Sequence, residues 1–264
     1  MAGPHYWIAN TPSSWVAASF STGLLPASNE EVYFDARGQG DVVGGLDQTA
    51  IDLDLLNIAE DYDGNIGADG APLIISADVV AMRGNGTLSY KDGGGTTDVL
   101  IVDSANLQDA AIVDGATISR LRVVRGGTNV LASATVALLE MEEVQYGTTI
   151  VTMADGAAAP ALYMVGGNLT TYAVGFTVLS GGYIRLLGNA TGGWYQAGGY
   201  CNWASKIRGS FVPSMASAVL MRGTMDTREG IIKDFATSFN KWPSFDLIGV
   251  EGRHWQSSAI QVVE

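Results

Sequence analysis

Three segments of the chain share one short pattern, in which an alternating apolar stretch runs into a Gly-Gly pair and then into another apolar stretch. They are Leu121-Arg-Val-Val-Arg-Gly-Gly-Thr128, Leu162-Tyr-Met-Val-Gly-Gly-Asn168 and Phe176-Thr-Val-Leu-Ser-Gly-Gly-Tyr183. The pairs Gly126-Gly127, Gly166-Gly167 and Gly181-Gly182 lie 40 and 15 residues apart, and a weaker instance at Arg222-Gly223 follows about 41 residues later. Glycine supplies backbone positions with φ > 0, so a recurring pair marks a recurring turn. Separations of 15 and of about twice 20 suit a solenoid with coils of about 15 to 25 residues, each placing a comparable turn at one corner of a stack. A β-sandwich with glycine-rich hairpins is the alternative. Strand direction separates the two, because a solenoid stacks parallel rungs and a sandwich pairs antiparallel neighbours.

The rest of the chain agrees with an all-β fold. Ile51, Leu53 and Leu55 alternate with Asp52 and Asp54, the period-two pattern of a half-buried strand. Short segments of similar character recur at Leu73–Ser76, Val99–Val102, Ile118–Val124, Ala137–Glu140, Ala161–Val165, Gly175–Leu179 and Ala218–Met221. The chain has 34 glycines against 7 prolines, and 47% apolar against 16% charged residues, enough apolar surface for a substantial core. One helix candidate, Arg228 to Phe239, is weakened by Gly230 and by the β-branched Ile231 and Ile232.

A solenoid end exposes unpaired strand edges and apolar core, so each end needs a cap. Residues 1–45, with Trp7, Trp15, Phe20, Pro26, Tyr33 and Phe34 spaced by small residues, are expected to form an N-terminal aromatic cap or arm. Residues 46–225 form the solenoid body in this reading. Residues 226–264, with Trp242, Pro243, Phe245, Trp255 and a strand-like Ile260 to Val263, form a C-terminal cap or assembly segment. Trp7, Trp15, Phe20, Trp242, Phe245 and Trp255 are the candidate interface residues.

The run Trp15, Phe20-Ser-Thr-Gly23, Leu25-Pro26 and Glu31-Val-Tyr-Phe-Asp35 resembles the opening of β-solenoid modules in bacterial surface passengers and in tailed-phage virion proteins. Those modules open on a tryptophan, a Gly-x-x-Pro and an Asp-x-Val-x-Phe. Here Phe20 stands where the family has a second tryptophan, and Glu31 takes the acidic position. The resemblance implies a β-solenoid and, on its phage branch, a head decoration, cement or fibre protein. Met1 to Asn10 has no basic region followed by an apolar one, so a chain made in the host cytoplasm and ending in the virion is expected in preference to a secreted passenger. No apolar run approaches the roughly 18 residues of a membrane helix, and no membrane partner is expected.

Charge and chemistry narrow the function further. A net charge of −13 argues against nucleic acid as partner, since phosphate neutralisation needs clustered Lys and Arg. The charge is uneven, with eleven acidic groups against Arg37 alone in residues 1–70, and seven basic against six acidic in residues 201–264. That is either a solvated acidic face, or a polarity that docks the C-terminal part on an acidic partner. Cys201 is the single cysteine and, beside Tyr200 and Trp203, suits a buried thiol.

The run Asp61 to Gly70 puts oxygen ligands at loop positions 1, 3, 5 and 9 of a calcium hand, through Asp61, Asp63, Asn65 and Asp69. Ile66 stands where that loop needs glycine and Pro72 where it needs its bidentate Glu, so a polar turn is the competing reading. Asp52 and Asp54 share a strand face at a glycosidase-like spacing, as an exposed acidic face also would. Trp194, Tyr195 and Tyr200 could stack on sugars or pack on a core. His5 and His254 stand near opposite termini, so neither a two-histidine metal motif nor a Ser–His–Asp set is legible.

The expectation from sequence is a non-enzymatic virion component without cofactor. It would decorate or cement a tailed-phage head through contacts with the major capsid protein or another virion protein, as a homotrimer. The alternative is a carbohydrate-binding fibre or tailspike-like depolymerase.

Overall fold

The computed structural model describes residues 3–143, 148–157, 159–190, 194–196, 200–203, 223–226 and 245–248. In chain order its strands are β1 (His5–Tyr6), β2 (Ser13–Ser14), β3 (Glu31–Phe34), β4 (Val42–Gly44), β5 (Asp47–Ile58), β6 (Leu73–Met82), β7 (Leu88–Lys91), β8 (Thr97–Asp103), β9 (Ala111–Val113) and β10 (Thr117–Val130). They continue with β11 (Thr135–Met141), β12 (Thr149–Met153), β13 (Ala159–Met164), β14 (Asn168–Leu179), β15 (Tyr183–Ala190), β16 (Trp194–Gln196), β17 (Tyr200–Trp203), β18 (Gly223–Asp226) and β19 (Phe245–Ile248). The only helical turn among the described residues is a 3-10 turn at Ala17–Ser19. Every strand pair among the described residues is parallel. The fold is therefore a parallel β-solenoid, and the antiparallel sandwich is excluded.

Each coil repeats the same inward residues, which builds the core as columns. Val32, Leu56, Val80, Leu100, Leu121, Leu139, Leu162 and Thr177 stand in register on one face, so successive coils take 24, 24, 20, 21, 18, 23 and 15 residues. The range matches the coil length implied by the Gly-Gly spacing. Beside it runs a second column, Phe34, Ile58, Met82, Val102, Val123, Met141, Met164 and Leu179, and all sixteen residues are buried. Burial of each of these side chains except Thr177 contributes roughly 1.5–3 kcal/mol. On another face Val42, Ile66, Leu88, Ala111, Thr128, Val151, Leu169 and Ile184 form a third column, which the backbone register continues to Cys201, Met225 and Leu247.

The alternation at Ile51 to Leu55 does not persist through β5. Leu53 is buried, Asp54 is exposed, Leu55 is half-buried and Leu56 is buried, so two successive residues face outward where the strand turns a corner. The same break recurs one coil later, with Ala77 buried, Asp78 exposed, Val79 half-buried and Val80 buried.

The Gly-Gly pairs occupy another corner. Gly126 pairs with Thr149, and the register carries that column on to Gly167 and Gly182. All three glycines have positive φ, at 110°, 87° and 85°. A Cβ on Gly182 would lie 2.6 Å from the Gly167 carbonyl oxygen, so these coils stack closely because no side chain intervenes. Of the remaining expectations, Ala218–Met221, the helix candidate Arg228 to Phe239 and the strand-like Ile260 to Val263 fall outside the described residues.

Candidate functional site

The N-terminal end differs most from the body. β1 pairs with β3 on one side, and the chain then turns back so that Phe20 bridges antiparallel to Trp7. The Ile8 N–H donates to the Ser19 carbonyl and the Ser21 N–H to the Tyr6 carbonyl, at 2.9 and 2.8 Å. The free edge of the first rung is thus covered by the chain's own next segment. Trp7 meets Phe20 edge-on at 5.6 Å and Phe34 at 5.5 Å, Trp15 meets Phe20 at 5.0 Å, and Phe34 meets Tyr62 at 5.2 Å. The Trp7 Nε1–H donates to the Gly40 carbonyl at 3.0 Å.

Trp7, Trp15 and Phe20, expected as interface residues, thus lie inside the cap, each at most 2% exposed. Their apolar area is already spent on the protein's own core, so they hold the end together and offer no surface to a partner. Trp242 and Trp255 lie outside the described residues, and Phe245 opens β19.

What residues 3–29 of the cap turn outward is Ile8, Val16, Leu24 and Leu25, exposed by 40, 44, 59 and 47%. Residues 1–29 contain no Asp, Glu, Lys or Arg at all, whereas residues 30–103 carry fifteen acidic groups against Arg37, Arg83 and Lys91. The boundary between the two is tied together: the Asn29 N–H donates to the Asp52 carbonyl at 2.8 Å, and the Asp52 N–H to Ser28 Oγ at 3.1 Å. Exposed Glu31, Asp47, Asp52 and Asp54 sit in the coils next to the cap. Arg37 is engaged, lying 3.5 Å over the Tyr6 ring and 3.7 Å from Asp35.

His5 is fully buried in this cap. Its Nε2 lies 2.8 Å from Glu30 Oε2 and its Nδ1 2.8 Å from Thr22 Oγ1. Glu30 Oε2 also accepts from the Ala27 N–H at 2.8 Å, and that bond first, with His5 next, holds its carboxyl below the usual range against the opposing effect of burial. A hydroxyl, an imidazole and a carboxylate in a chain is the order of a nucleophile relay. Here the imidazole is sealed from solvent, and the Thr22 hydroxyl lies 3.3 Å from both backbone N and O of Leu24. The network pins the 22–30 turn onto β1. It escaped the sequence reading because His5, Thr22 and Glu30 become neighbours only through the fold, and their 17- and 25-residue separations are the available signal.

The proposed calcium ligands are drawn into a different task. Asp63 Oδ1 accepts from Asn85 Nδ2 at 2.8 Å, and Asn65 Oδ1 accepts from the Thr87 N–H at 2.9 Å. In turn the Asp63 and Asn65 N–H groups donate to Gln39 Oε1 and Asp41 Oδ1 in the coil before. These side chains stitch one coil to the next at a corner, and the Asp61 carbonyl accepts from Gln39 Nε2 at 2.7 Å. Asp69 lies in the turn beyond. Among the described residues no group of three or more His, Cys, Asp or Glu side chains is placed to share a metal ion.

Asp52 and Asp54 are both exposed with Leu53 buried between them. On the body, exposed Tyr163 and Phe176 lie on adjoining strands of one face, where Tyr163 pairs with Val178 and Val178 with Tyr195. Trp194 and Tyr200 pair with Thr177 and Tyr183. Above this patch the face carries inter-coil ion pairs, Arg120 with Glu140 at 2.6 Å, Arg122 with Glu142 at 2.8 Å and Arg125 with Asp103 at 3.1 Å.

Comparison of the chain with protein-family models, curated proteins and solved structures finds no match.

Proposed function

We propose that the chain is a non-enzymatic structural component of a tailed-phage virion, a decoration or cement protein that stabilises the particle by protein–protein contact. The observation that carries this reading is the contrast between a body stitched from coil to coil and residues 1–29 of the cap, which hold no Asp, Glu, Lys or Arg and turn Ile8, Val16, Leu24 and Leu25 outward. Apolar area left at one end of a rigid stack is surface suited to burial against another protein. Assembly as a trimer, on the major capsid protein or another virion protein, belongs to the same proposal. The test is co-sedimentation with purified capsid shells and their heat stability. Binding with a raised shell-disruption temperature supports the proposal, and a chain that neither binds shells nor stabilises them refutes it. Sedimentation of the free chain tests the trimer separately.

Tyr163 and Phe176, 50 and 54% exposed on one face, favour a second reading as a glycan-binding fibre or depolymerase. Glycan-array binding or release of reducing ends would support that reading, and loss of signal in Phe176→Ser would place it on this face.

A further inference from the structure

We infer that the N-terminal cap docks, end on, into an apolar socket on a partner protein whose rim is basic. The inference rests on the docking role proposed above and specifies its chemistry. Its centre is Leu24 and Leu25, 59 and 47% exposed, in residues 1–29, which hold no Asp, Glu, Lys or Arg and also expose Ile8 and Val16 by 40 and 44%. Next to it, on β3 and β5, stands an acidic collar of exposed Glu31, Asp47, Asp52 and Asp54. The collar adjoins the cap through Val32, which pairs with His5, and through the Asp52 bonds to Ser28 and Asn29.

Charge decides among the occupants of such a surface. A second copy docked cap to cap would bring two collars together, and like charges facing each other across an interface oppose association. Anionic lipid and nucleic acid are repelled for the same reason. A socket lined by apolar side chains and ringed by Lys or Arg meets both features at once. The two parts then act on different steps: the collar steers encounter and makes the on-rate salt-dependent, while burial of Leu24 and Leu25 governs how slowly the complex separates.

The full chain, tethered by its C-terminal end to a biosensor, is exposed to three short amphipathic peptides as probes: alternating Lys/Leu, Glu/Leu and Lys/Ser. The expected result is binding to the Lys/Leu peptide alone. Leu24→Ser with Leu25→Ser should weaken it about tenfold through faster dissociation. Glu31→Gln with Asp52→Asn and Asp54→Asn should slow association and flatten its salt dependence. Leu107→Ser, exposed several coils away, should change nothing, and thermal melts confirm that each variant folds.

Equal binding to the Glu/Leu peptide, no binding to the Lys/Leu peptide, or indifference to the Leu24/Leu25 change overturns the inference. So does self-association that depends on Leu24 and Leu25, which assigns the cap to a second copy. Shell binding that survives while the Lys/Leu peptide is ignored removes this inference and leaves the docking role standing. Peptide binding without shell binding does the reverse.

Discussion

Thr128 is the clearest misfit in the core. It stands in an otherwise apolar column between Ala111 and Val151, is 1% exposed, and its hydroxyl has no hydrogen-bond partner among the described residues. A buried hydroxyl without a partner costs about 1–3 kcal/mol. Thr128→Val keeps the shape and removes the orphan, so it should stabilise the protein by about 1 kcal/mol. A higher melting temperature by calorimetry is the expected result, and a lower one would mean that the hydroxyl has a role.

Gly167 presents the opposite case. Its φ of 87° is one that side chains avoid, and an added Cβ would lie 2.8 Å from the Thr149 carbonyl. Gly167→Ala should therefore cost more than about 1 kcal/mol, read as a lower denaturation midpoint. This glycine was legible in the sequence because its pair recurs with its neighbours in place. The companion Thr149 in the same column was not, since a threonine at a tight corner carries no turn signature of its own.

Among the elements, the corner formed in β5, β6 and β8 carries a self-imposed strain. The register places Asp54 beside Asp78 and Asp78 beside Asp98, all exposed. Like charges stacked at the roughly 4.8 Å strand spacing repel. Asp78→Asn, which relieves both contacts, should raise stability by a few tenths to about 1 kcal/mol at low salt, with the gain shrinking as salt screens the column. Melting curves of both proteins across ionic strength check this. An unchanged difference at high salt would contradict the electrostatic cause.

The cap contributes its own pH dependence through Glu30. Because its carboxyl titrates lower in the folded protein than the ordinary value of about 4.3, its contribution is present above that pH and is lost as acid protonates it in the fold. Glu30→Gln should lower stability at neutral pH and narrow the gap to the unaltered protein near pH 3, as measured by urea midpoints at both pH values. A gap that widens in acid would contradict the assignment. The aromatic content of residues 1–45 is legible in the sequence, and the burial of Trp7, Trp15 and Phe20 inside the protein is not. Aromatic residues at an end signal burial, and whether that burial is internal or shared depends on the fold-back that sets Phe20 against Trp7.

For the whole molecule, coil length was the legible quantity, because glycine pairs and alternating apolar runs repeat with it. The polar stitching from Gln39 and Asp41 to Asp63 and Asn65, and on to Asn85 and Thr87, repeats with the same period. In sequence it resembles a calcium loop, since ligand spacing within one coil is visible and bonding between coils is not. The charge boundary at residue 30 is present in the sequence as composition, but a count over residues 1–70 merges the uncharged segment with the acidic coils. It became a site only when the structure turned Leu24 and Leu25 outward above the acidic coils.

Columns in register underlie the core, the stitched corner and the cap, and strand pairing across coils is what they all require. With Cys201→Ala as background, nitroxide labels placed in pairs at positions 54 and 78, 78 and 98, and 54 and 98 test that pairing by spectral broadening. The parallel solenoid predicts strong broadening for the first two pairs, at adjacent strands, and weaker broadening for the third, at about twice the strand spacing. Absence of broadening in either adjacent pair would contradict the fold and the function built on it.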